Sequence, residues 1–165
     1  MNRNPAHEHR VLSIAPSTSG FGFAVLEDEE TLVDWGVMSV KGDKNAQCLQ
    51  KTGKLILQYR PDVLALQDYW AQGSRRSVRV RELGQRLVNL ARDYGITTSL
   101  FSRERIHHAF LADSRGTKHA LAEALARRFP EELGGRLPPK RRPWMSEDSR
   151  MSMFEAAALA LMTRL

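Results

Sequence analysis

The sequence of 165 residues contains one cysteine, Cys48, so no internal disulfide can form. Cys48 sits in a helical pattern and reads as a small packing residue, and a chain so poor in cysteine suits a reducing compartment. No apolar run approaches the roughly 18 residues needed to span a bilayer. The opening MNRNPAHEHR is polar and lacks the apolar centre of a signal peptide. There is no internal repeat, which excludes the solenoid and propeller architectures. The expected location is therefore the cytoplasm, with no membrane partner.

What is present is an ordinary soluble composition, 42% hydrophobic and 27% charged. The length suits one domain over 1–165, able to bury roughly two-thirds of its unfolded surface. Residues 1–9 read as a flexible start, and 130–146 as a basic loop rich in proline and glycine. Lysine and arginine number 25 against 19 acids, a net charge of +6 and a pI near 9.9. That balance suits a polyanionic partner, because phosphate neutralisation releases counterions.

The run VLSIAPSTSGFGFAVL, residues 11–26, reads as a strand, a small-residue turn and a second strand from Phe21. Phe21 to Leu26 and Thr31 to Val40 make a hairpin around the acidic turn Glu27 to Glu30. Helical spacing follows over Asn45 to Tyr59, and Arg60-Pro61-Asp62 stops it. VLAL at 63–66 has the fully apolar character of a buried parallel strand. Ser74 to Tyr94 reads as a long helix ended by Gly95. Ile96 to Phe101 is a further strand, and helices are expected at about 103–111 and 117–129. The final stretch SEDSRMSMFEAAALALMTRL reads as a helix with Ser146 as N-cap and Glu147 and Asp148 in its first turn. This order gives an α/β layout with a mixed sheet.

Ligands in open α/β sheets bind at the carboxyl ends of strands. Ala15, Gln67 and the start of the last helix should therefore share one crevice. On that helix Asp148, Ser152, Glu155, Leu159 and Met162 fall on one face. Asp148 and Glu155 lie about two turns, or roughly 10 Å, apart, so one of the two is closer to the strand ends. Asp148 has two readings, a helix-dipole partner and a site acid. Glu155 lies within MSMFEAAALALM, where an unpartnered buried charge costs several kcal/mol. A carboxylate facing the site accounts for that position better than packing does.

These pieces together resemble a RuvC-type Holliday junction resolvase of the RNase H-like nuclease superfamily. IAPSTSGFGFAV is similar to that family's Ile-Asp-Pro-Gly-Ser motif with its following strand. PDVLALQDYW resembles a strand ended by a Glu, RELGQRL a Leu-Gly-Gln on a long helix, and GTKHALAEALARRF a lysine-bearing helix. FEAAALAL resembles the acidic final helix. The resemblance implies an RNase H-like mixed five-stranded sheet flanked by helices, a homodimer, branched DNA as partner and a nucleoid-associated location. It also implies cleavage of phosphodiesters by two Mg2+ or Mn2+ ions, with no small-molecule cofactor, since two hard cations held by carboxylates activate water and steady the leaving oxygen.

Carried onto this chain, the first-motif Asp falls on Ala15 and the second-motif Glu on Gln67. The helix acid falls on Glu155, with Ser152 one turn earlier where a further acid is often found; Asp148 is a second candidate. Only Glu155 and Asp148 would remain as metal ligands, an incomplete site that holds metal weakly or not at all. Asp68 is expected to face away, because adjacent strand residues point to opposite sides. The chain is therefore expected to bind nucleic acid and to cut it poorly or not at all. A nuclease disabled by Asp→Ala and Glu→Gln changes and a natural pseudonuclease give the same sequence.

Lys118 matches the family lysine and is a candidate contact to the scissile phosphate. Arg75, Arg79 and Arg86 share one flank of the long helix with Arg76 near its start, and such a row either tracks a phosphate backbone or is a solvated face. Tyr69 and Trp70 are placed to wedge or stack at a branch point, or to pack in the core. Lys140, Arg141, Arg142 and Trp144 form a second basic and aromatic cluster, in a loop. His107 and His108 are adjacent, face apart on a helix and read as surface or partner residues. Gly84 is read as a close-approach point between two long helices of a dimer. Three other functions stay open: a regulatory binding protein, an RNA-processing enzyme and, from the phosphate-loop-like APSTSGFG, an actin-like ATPase fragment.

Overall fold

Five strands and five α-helices account for most of the described residues, which are 9–71, 76–112 and 116–165 of this computed structural model. The strands β1 (Val11–Pro16), β2 (Gly20–Glu27) and β3 (Thr31–Ser39) form an antiparallel meander. The strands β4 (Val63–Gln67) and β5 (Thr97–Phe101) add in parallel on the other side of β1, giving the order β3-β2-β1-β4-β5. Every residue of β1 is buried, as its central place in the sheet requires.

Side-chain alternation along β1 feeds two separate cores. Leu12 and Ile14 join Leu64, Leu66 and the inward residues of α1 (Lys44–Tyr59) and α2 (Val78–Asp93). Val11 and Ala15 join Ala65, Phe101 and the buried faces of α4 (Lys118–Arg128) and α5 (Met151–Met162). The short α3 (Arg103–Phe110) contributes Ile106 to the same side. Ser13 is buried beneath α5 and donates its hydroxyl to the Ala156 carbonyl at 2.5 Å, which satisfies a polar group that would otherwise be costly.

Helix starts are set by side chains that accept orphan N–H groups. Asp43, Ser77, Ser102 and Thr117 cap α1 to α4 in this way. Ser102 directly follows β5, so α3 begins as soon as that strand ends. Arg60 ends α1 in the left-handed region, at φ 47°.

Three sequence expectations need correction. The described part of the long helix begins at Val78, and Ser74 and Arg75 lie outside the described residues, as do 1–8 of the expected flexible start. The last helix begins at Met151, four residues later than Ser146 as N-cap implies. Gly84 faces its own chain: a Cβ there would lie 2.6 Å from the Tyr69 ring, so the glycine makes room for Tyr69. The 130–146 segment is a loop with one 3-10 turn, Gly134–Arg136, pinned by buried Leu133.

Candidate functional site

A cavity of about 600 Å3 opens where β4 and β5 end, between α3, the start of α4 and the middle of α5. Gln67, Arg76, Lys118 and Glu155 all line it. Ala15 and Gln67 stand on neighbouring parallel strands, each two residues beyond the paired Ser13 and Ala65. Gln67 reaches the cavity wall. Ala15, at 2% exposed, lies instead within the buried apolar cluster that includes Met153, Phe154 and Ala156.

Glu155 is the one charged residue of the otherwise apolar α5. Its side chain is 15% exposed, and both carboxylate oxygens are engaged. Lys118 Nζ lies 3.1 Å from Oε1, and an Arg76 guanidinium nitrogen lies 3.7 Å from Oε2. Arg76 is fixed from two further directions. It donates to the Pro16 carbonyl at 3.2 Å and sits 5.7 Å from the Tyr69 ring centre. Lys118 also pairs with Glu147 at 3.3 Å, an exposed contact of smaller weight.

The remaining sequence candidates are dispersed. Asp148 precedes α5 and is clamped by Arg150 through two side-chain contacts, at 3.0 and 2.8 Å. That guanidinium holds its carboxyl below the usual carboxylate range, and Asp148 lines a second, smaller cavity, away from Glu155. Ser152 is buried and returns its hydroxyl to the Ser149 carbonyl at 2.8 Å. Tyr69 is buried under α2 and has no surface for wedging. Trp70, at 47% exposed, keeps a free face beside the cavity. Arg79 is tied to the Ser17 carbonyl and to Asn45, which makes it a brace for the first turn. Arg86 is exposed farther along α2, and Arg75 lies outside the described residues.

The basic loop is closer to the cavity than its distance in sequence suggests. Lys140 and Arg141 line the second cavity together with Lys118, which belongs to both. Trp144, at 75% exposed, carries the Arg142 guanidinium 5.5 Å from its ring centre.

Three wall residues escaped the sequence reading. Asp68 does line the cavity, because β4 ends at Gln67 and the chain turns there, with Asp68 accepting from the Trp70 N–H at 3.0 Å. Arg103 enters from the end of β5, a strand end to which the crevice rule applies equally. His107 is 2% exposed rather than on the surface, and its Nδ1 has no partner among the described residues. Burial pushes its imidazole below the ordinary value of 6.5, and the positive charge of Arg103 adds to this. A hydrogen bond with the Gly116 backbone opposes the shift, and the charge of Lys118 favours it.

This donor set does not fit two divalent cations. Position 15 offers a methyl group, Gln67 a neutral amide, and Glu155 is already neutralised by side-chain cations. Three carboxylates and three fixed cations line the cavity, whereas a metal pair needs a marked negative excess. Among the described residues no group of three or more His, Cys, Asp or Glu is placed to hold a metal.

No family model and no curated protein matches the sequence. Solved structures do match in fold. Thermus thermophilus RuvC bound to a Holliday junction substrate is similar over 95% of this chain and 96% of that one, with a TM-score of 0.66 and 16% identity. The fowlpox virus resolvase in complex with Holliday junction DNA covers 94% and 96%, with a TM-score of 0.60 and 9% identity. The yeast mitochondrial Holliday junction resolvase Ydc2 covers 93% and 76%, with a TM-score of 0.59 and 15% identity. The chain has the RNase H-like fold of the RuvC-type resolvases.

Proposed function

We propose that this chain is a branched-DNA-binding protein of the resolvase type that receives a four-way junction and leaves its strands uncut. One observation carries the reading. At the strand ends and on the final helix where the resemblance expects metal-binding acids, the chain presents Ala15, Gln67 and an internally paired Glu155. The partner class is supported by the Holliday junction DNA held by two structures of the same fold. It is supported too by Lys118 on the cavity wall and by Lys140 and Arg141 in the loop beyond, with Arg142 and Arg86 adding exposed positive charge elsewhere on the surface. Trp70 and Trp144 supply exposed rings on which an unpaired base can stack. Because a junction has two opposed strands, two copies of the chain would bind one junction as a homodimer, away from Gly84, whose space Tyr69 fills.

The deciding experiment compares labelled four-way junctions with matched linear duplexes, in Mg2+ and in chelator. It uses the chain and its Ala15→Asp, Gln67→Glu double variant. Junction-selective binding by both, with symmetric nicking by the double variant alone, is the expected result. Mg2+-dependent cutting by the unaltered chain would refute the non-cleaving assignment. Equal affinity for junction and duplex would refute the substrate.

A further inference from the structure

The cavity holds an electrostatic arrangement that the loss of two acids does not by itself explain. A site merely stripped of ligands would leave Glu155 exposed to solvent, or turned away. Here both of its oxygens are met by fixed cations, Lys118 from the first turn of α4 and Arg76 from the segment before α2. Arg76 is anchored independently of Glu155 by the Pro16 carbonyl, next to the position where the first metal-binding acid is expected. The guanidinium therefore stays in the crevice whatever Glu155 does. Arg103 adds a third cation to the wall, and the Nδ1 of buried His107, without a partner among the described residues, adds a neutral polar group.

Resting on the reading of the chain as a DNA-binding protein, we infer that Arg76 and Lys118 form a metal-free phosphodiester site in which Glu155 is the resident anion. A nucleic-acid phosphate and the Glu155 carboxylate present the same kind of acceptor to a guanidinium and an ammonium. The backbone phosphate competes with Glu155 for the two cations. Occupancy of the cavity by DNA then needs no divalent ion, and Glu155 weakens binding instead of supporting it. This reverses the effect of a helix acid that works through metal, whose loss would weaken any Mg2+-supported binding.

The test measures fluorescence anisotropy with labelled four-way junction, linear duplex and single-stranded DNA, at fixed ionic strength in Mg2+ or EDTA. For the unaltered chain, no DNA is bound more tightly in Mg2+ than in EDTA, Mg2+ acting only as a competing counterion. Glu155→Gln keeps the shape, tightens binding roughly tenfold, the scale of one released charge-assisted contact, and steepens the salt dependence by about 0.9 in log K against log salt. Arg76→Gln and Lys118→Gln each weaken binding in both buffers, with thermal melts confirming that all three variants fold. A parallel Mn2+ titration followed by electron paramagnetic resonance shows no stoichiometric bound ion. Tighter binding in Mg2+ than in EDTA, weaker or unchanged binding by Glu155→Gln, or a Mn2+ ion lost on Glu155→Gln would each overturn the inference. Loss of junction preference with the Glu155→Gln gain intact would instead sink the junction reading and leave this site standing.

Discussion

At the residue scale, His107 is the group whose burial has a measurable thermodynamic consequence. Its imidazole is held neutral by desolvation, with Arg103 and Lys118 nearby. The folded pKa is depressed, so the neutral form belongs to the fold. As the pH falls through about 6.5, the unfolded chain takes up a proton that the folded chain refuses, and stability declines until the folded pKa is reached. Melting temperature should therefore drop between pH 7.5 and 5.5, and His107→Leu should flatten that drop. An equal slope in the two proteins would remove His107 from the account. The histidine was not legible in the sequence, because a His-His pair on a short helix carries no sign of which ring turns inward. Glu155 and Gln67 were legible, since each interrupts or ends an apolar run. Their cationic partners were not: Arg76 is held beside Glu155 by the carbonyl of Pro16, the last residue of β1, a contact between segments far apart in sequence.

At the scale of elements, the contact between α5 and β2 decides whether the cavity exists. A Cβ at Gly22 would lie 2.2 Å from the carbonyl carbon of Ser152, which is backbone and has nowhere to move. Gly22→Ala should cost about 3 kcal/mol or more, at the upper end of overpacking effects. At Gly84 the three nearest atoms to a Cβ belong to the Tyr69 and Trp70 rings, the nearest at 2.6 Å, and side chains yield more readily than backbone, so a loss of about 1–2 kcal/mol is expected. Chemical denaturation of the two variants checks the order, and a Gly22→Ala protein as stable as Gly84→Ala would show that α5 is not seated so closely. The strands and their succession along the chain followed from apolar runs and turn residues, because a sheet of this kind needs those patterns. The start of α5 did not follow. Ser146, Glu147 and Asp148 imitate a capping sequence, yet Asp148 is taken by Arg150 and Glu147 by Lys118. The cap signals gave way to one local ion pair, Asp148–Arg150, and to one that depends on the folded arrangement, Glu147–Lys118.

On the scale of the whole molecule, the net charge of +6 and the balanced charge of the cavity wall point to different tasks. Since the wall carries equal numbers of acids and cations, the surplus that would attract DNA in the proposed function lies outside it. Lys140, Arg141 and Arg142 are exposed in a loop whose second cavity shares Lys118 with the first. Cations in such a loop meet phosphates and carry no shape information, so they raise affinity for every duplex alike. Replacing all three by alanine should weaken junction and linear duplex by similar factors and lower the salt slope by about 0.9 for each phosphate no longer neutralised. On the proposed reading junction preference should survive, because there it depends on how the cavities, Trp70 and a second copy of the chain meet the branch. Sedimentation of the triple variant with excess junction should then still give two chains per junction. If preference collapses along with affinity, the loop itself reads the branch, and the cavity's part in selecting DNA is smaller than its position at the strand ends implies.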